Sequence, residues 1–71
     1  MTLIKLLRVE KGLTLLDVTL VTRLRESVLA GIENRRMVAY PRQRAALAAF
    51  YEIPERELFD GADFAKLAEA E

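Results

Sequence analysis

Seventy-one residues without a single cysteine or histidine exclude disulfides, thiolate or imidazole metal sites, and the commonest general base. No apolar run approaches the about 20 residues that a membrane span needs. The first residues also lack the long apolar region of a signal peptide, so a cytoplasmic setting is expected. Net charge is zero, which argues against an indiscriminate polyanion binder, and the length suits one small domain near the lower limit of folding without staples.

Thr2 is placed to cap a first helix expected over Leu3–Lys11. Leu3, Ile4 and Leu7 give it an apolar stripe, and Gly12 stops it because glycine tolerates positive φ. Thr14 caps a second helix over about Leu15–Val21, and Thr14-x-x-Asp17 has the spacing of a capping box. Thr22-Arg23-Leu24 interrupts that pattern as a turn, with Leu24 able to plug into a core. A third helix is expected over Glu26–Glu33, with Leu29 and Ile32 on one face. Helices this short cannot stand alone, so the rest of the chain must supply their packing surface.

Met37 to Tyr40 reads as a loop, and Pro41 suits the first position of a fourth helix over Pro41–Tyr51. Ala45, Leu47, Ala48, Phe50 and Tyr51 are its expected core contribution. Pro54 and the acidic residues after it open a short fifth helix ending near Phe59. These elements make residues 1–60 the domain and 61–71 a tail. Phe64, Leu67 and Ala68 give the tail an apolar i, i+3, i+4 stripe, compatible with a sixth helix folding back, a dimer contact or a frayed end. The expected fold class is all-α: five helices, with or without a short C-terminal sixth.

The neutral sum hides a dipolar chain. Residues 22–44 carry six arginines (23, 25, 35, 36, 42 and 44) against Glu26 and Glu33, a balance of +4. Residues 45–71 carry Arg56 and Lys66 against seven acids, a balance of −5.

The stretch Gly12–Arg36 resembles the helix-turn-helix of the phage repressor/Cro-type (xenobiotic-response-element-type) family. The likeness lies in Gly12-Leu13-Thr14, Val18 and Thr19, the turn residue Leu24, the buried position Leu29, and Ile32-Glu33-Asn34. It extends without a gap from Ile4-x-x-x-Arg8 to Leu47-Ala48-x-x-x-x-Ile53-x-x-x-x-Leu58, roughly residues 3–59. The resemblance implies a compact repressor-like domain whose third helix enters the DNA major groove. It also implies an ion pair between Arg8 and Glu33 that ties the first helix to the third.

The chain departs from the family where Leu15 replaces a phosphate-reaching Gln, Arg23 replaces the turn Gly, and Leu16, Leu20 and Val21 replace polar residues. On the family fold Leu16 and Leu20 point outward. Either they pack locally, or with Val21 they offer a surface to a second chain.

No catalytic constellation is present: there is no His, no Cys, no Gly-rich phosphate loop and no Ser beside a base. An enzyme is therefore not expected, nor any metal or cofactor. The leading expectation is sequence-specific double-stranded DNA binding by a small transcriptional regulator. Arg23, Arg35, Arg36 and Arg42 would hold phosphates, while Arg25, Glu26 and Ser27 meet base edges. A homodimer on a palindrome would supply the affinity. The alternative expectation is a protein-interaction module on the same scaffold, using the second helix or the tail and acting on another transcription component.

Overall fold

The structure, a computed structural model, describes residues 1–69; the last two positions of the expected tail, 70 and 71, lie outside the described residues. Five helices and no multi-residue strand occur among the described residues: α1 (Leu3–Glu10), α2 (Leu15–Thr22), α3 (Glu26–Glu33), α4 (Pro41–Tyr51) and α5 (Glu55–Leu58). Local chemistry explains their ends. Thr2 caps α1 by accepting from the Lys5 amide, and Gly12 leaves the helix at φ 70°. At α2 the capping box closes in both directions: Thr14 Oγ1 accepts from the Asp17 amide at 3.1 Å, and Asp17 Oδ2 accepts from the Thr14 amide at 2.8 Å. Those bonds hold the exposed Asp17 carboxyl below the usual carboxylate range. At α4 the Gln43 side chain accepts from the Tyr40 amide at 2.8 Å.

The core is one cluster drawn from every element: Ile4, Val18, Leu29, Ile32, Leu47, Tyr51 and Leu58 from the helices, joined by Ala39, Phe59 and Ala65. Leu24 packs half-buried against it, as the turn spacing suggests. Ala45, expected in the core, is exposed instead. Leu47 and Tyr51 lie four residues apart and define the inner face of α4, and Ala45, two residues before Leu47, falls on the opposite side.

Arg8 and Glu33 join the ends of α1 and α3. Arg8 Nε donates to Glu33 Oε2 at 2.9 Å, and a second guanidinium nitrogen donates to Oε1 at 3.1 Å. The third guanidinium nitrogen donates to the Leu13 carbonyl at 2.9 Å. Glu33, only 2% exposed, is thus satisfied at both oxygens, and its carbonyl accepts from Thr2 Oγ1.

The tail forms no sixth helix within the described residues. Asp60 Oδ1 accepts from the amides of Ala62 and Phe64, and Asp63 sits at φ 69°, so the chain reverses immediately after α5. The returning segment is extended: Ala65 bridges Phe59, and Leu67 bridges Thr2, both antiparallel. Backbone bonds from Leu3 to Lys66, Lys66 to Leu58 and Ala68 to Met1 lace it between the start of α1 and α5. Extended chain has a period of two, so the expected stripe dissolves: Phe64 and Ala68 are half-buried, and Leu67, an odd number of residues from each, is exposed. No helix among the described residues is long and apolar enough to cross a membrane.

Candidate nucleic-acid interface

The turn between α2 and α3 brings charge to one end of α3. Arg23 closes α2 in the left-handed region at φ 66°, where a β-carbon is crowded and glycine is the usual occupant. Leu24 turns inward, and Arg25 takes the N-cap position of α3 in extended backbone without a side-chain bond to the first turn. The opening of α3 therefore faces outward with Arg25, Glu26 and Ser27 all exposed. Further along, Leu29, Gly31, Ile32 and Glu33 are buried and Val28 and Ala30 half-buried. Only the first turn of α3 thus offers polar side chains to a ligand.

Gly31 has a packing reason. Met37, after the helix, lies where a β-carbon on Gly31 would stand, and the amides of Arg36 and Met37 both donate to the Gly31 carbonyl. This fold-over closes the end of α3 and sends Arg36 outward.

The six arginines of the basic stretch divide into two groups. Arg35 turns to the tail: its guanidinium donates to the Ala65 carbonyl at 2.6 Å and to Asp60 at 3.3 Å, and lies over the Phe64 ring, 5.3 Å from its centroid. Arg44 donates to the Ala39 carbonyl at 2.6 Å and pairs with Glu55 at 3.3 Å and Asp63 at 3.4 Å. Arg35, an expected phosphate ligand, is thus held by the tail that the reversal at Asp60 brings back to it. Arg23, Arg25, Arg36 and Arg42 make no ion pair among the described residues and are exposed.

Three of those four share a concavity of about 340 Å³ between the α2–α3 turn and the start of α4, lined by Arg23, Arg25 and Arg42 with Thr22 and Gln43. Thr22 and Gln43 were not singled out from sequence. Gln43 was legible as the third residue after Tyr40, the spacing of a helix-start bond, but a Tyr in place of Ser or Thr masked it. Leu16, Leu20 and Val21 stand outward on α2, at 51%, 68% and 66% exposure, with no local packing to cover them. Compared with family models, curated proteins and solved structures, the chain finds no match.

Proposed function

We infer that this is a repressor/Cro-like helix-turn-helix domain that binds double-stranded DNA as a small cytoplasmic transcriptional regulator. The observation that carries the reading is the set of exposed arginines without an ion pair among the described residues: Arg23, Arg25 and Arg42 around the exposed start of α3, and Arg36 beyond its other end, in a chain of zero net charge. Arg23, Arg36 and Arg42 suit phosphates, which fix register without reading sequence. Arg25 can reach O6 and N7 of a guanine, Ser27 can bond a base edge, and Glu26 can accept from a cytosine amino group. So few reading side chains give one domain little discrimination. A homodimer on a palindrome, with half-sites about one helical turn apart, supplies the rest.

Fluorescence anisotropy across a salt series, on duplexes selected from a random library and on scrambled controls, tests this. Arg36→Ala is expected to weaken binding to every duplex and make the salt dependence shallower by about one unit of log–log slope. Ser27→Ala is expected to cost about 1–3 kcal/mol on the selected site and little on scrambled DNA. Absence of binding to any duplex at low salt, after selection, refutes the reading. A protein-interaction module is the second reading, favoured by the uncovered apolar face of α2.

A further inference from the structure

Beyond the arginine-lined concavity a second one, about 300 Å³, runs between α2 and α4 and is lined by Val21, Thr22, Ala46, Ala49 and Phe50. Thr22 and Ala46 line both, so the two adjoin as one groove: one end is lined by three arginines together with Leu24 and Val28, and the other carries no charge. Each lies at the small end of the range of ligand pockets. Phosphate contacts account for the basic end alone. A sugar–phosphate backbone has no large apolar group to seat between Val21 and Phe50. The helix beside it carries apolar side chains inward and outward: Val18 is buried in the core while Leu16, Leu20 and Val21 face out, more exposed apolar surface than scattered single residues give.

We propose that this groove receives a segment of another protein chain in which acidic residues are followed by one large apolar side chain, and that such a segment competes with DNA. Charge complementarity fixes the occupant: three arginines without internal acids take carboxylates, and the uncharged stretch takes the apolar anchor. The tail acids Asp60 and Asp63 of a second copy are already bonded to Arg35 and Arg44, whereas its Glu10, Glu52 and Glu57 are exposed, so a second copy is the competing outcome that the test below separates. The competition, though not the binding, rests on the DNA reading above.

The test uses short fluorescein-labelled peptides with a run of Asp and Glu before a single Leu, Phe or Trp, titrated with the full chain. Binding is expected for at least one spacing. It should fall about tenfold or more when the anchor becomes Ala, when the acids become Lys, or when the protein carries Arg42→Ala. Ala49→Glu and Val21→Glu, at exposed positions and with helical content checked by circular dichroism, should abolish peptide binding. DNA affinity should survive in both variants. An unlabelled binding peptide should release labelled duplex from the wild type. No peptide binding, or binding indifferent to Ala49→Glu and Val21→Glu, overturns the proposal. So does self-association by light scattering that Ala49→Glu dissolves, since the occupant is then a second copy. Peptide binding without any DNA binding would leave the groove standing and remove the DNA reading. DNA binding without peptide binding would do the reverse.

Discussion

Breaking the Arg8–Glu33 pair from either side should be the most damaging kind of single change away from the apolar core. Its carboxylate is 2% exposed and receives two guanidinium bonds at 2.9 and 3.1 Å, so the pair is fixed in bidentate geometry away from water. Breaking such a pair from one side costs about 3–5 kcal/mol, because the remaining charge stays desolvated without its partner. The whole stability of a 71-residue domain is roughly 4–11 kcal/mol on per-residue averages. The loss is therefore a large share of the total.

The two single deletions should differ. In Glu33→Ala, Arg8 keeps the Leu13 carbonyl and can swing its 13%-exposed head toward water. In Arg8→Ala, Glu33 is left buried without its charge partner, so that variant should be the worse. For a domain of this size about 1 kcal/mol moves Tm by about 4–8 °C, so Glu33→Ala should lower it by at least about 12 °C. Replacing both partners, as Arg8→Met with Glu33→Leu, should restore most of the loss, since an apolar pair carries no desolvation cost. Thermal melts by circular dichroism and urea titrations of the four proteins measure this. An unchanged Tm in Glu33→Ala, or a double variant as unstable as the sum of the singles, refutes the reasoning.

Tyr51 holds a buried hydroxyl with no hydrogen-bond partner, so Tyr51→Phe should be neutral or stabilising by up to about 1 kcal/mol, measured by urea titration. Burial first, then the nearby Glu33, push the phenol up to about 12 against a small opposing effect of Arg8. The folded state therefore holds that proton more tightly, and stability should fall as pH rises from about 10 through 12, a loss that ultraviolet titration should show to be absent in Tyr51→Phe. Arg23→Gly should raise Tm by relieving about 1 kcal/mol of left-handed strain, yet weaken DNA binding; a loss of both would mean that Arg23 has a structural partner. Desolvation of the Asp60 carboxyl, which alone raises its pKa, is outweighed by bonds from the Phe64 and Ala62 amides and from Arg35, leaving it below the usual range. The tail should then stay docked above about pH 4 and loosen as the pH falls through that lowered value, seen as faster amide exchange at Lys66 and Ala68 and as pH-independent loosening in Asp60→Asn.

What could be read in the sequence was what local chemistry decides. Thr2, Thr14 with Asp17, and Pro41 mark helix starts within a turn of themselves, and α3 and α4 begin and end where the spacing put them. The tail could not be read that way. Its conformation is set by the reversal at Asp60, and once the chain is extended the helical stripe of Phe64, Leu67 and Ala68 has no meaning. The tail's partners are no more local than its path. Arg35 lies 25 residues from Asp60, and Arg44 lies 19 from Asp63, separations that no local pattern bridges. The outward placement of Leu16 and Leu20 was legible from the resemblance, but the groove beside Val21 was not, since Ala46, Ala49 and Phe50 come from α4.

The charge segregation of the chain therefore has two causes, and one measurement separates them. From sequence, all six arginines of residues 22–44 stand as candidates for a polyanion. In the fold Arg35 and Arg44 are neutralised by the acidic segment itself, which explains part of the +4 and −5 split as internal pairing. Four arginines remain. With Arg25 on a base edge, phosphate contacts from Arg23, Arg36 and Arg42 at about −0.9 of log–log slope each give about −2.7 per domain, and adding Arg35 and Arg44 would give about −4.5. A measured slope near the smaller figure, unchanged by Arg44→Gln but shallower in Arg42→Ala, would mean that the paired arginines serve the fold and the free ones the ligand. A slope near the larger figure would require DNA to pull Arg35 off Ala65 and Asp60. The tail would then have to undock on binding, and amide exchange at Lys66 would accelerate in the complex. Protection at Lys66 that is the same with and without DNA excludes that outcome.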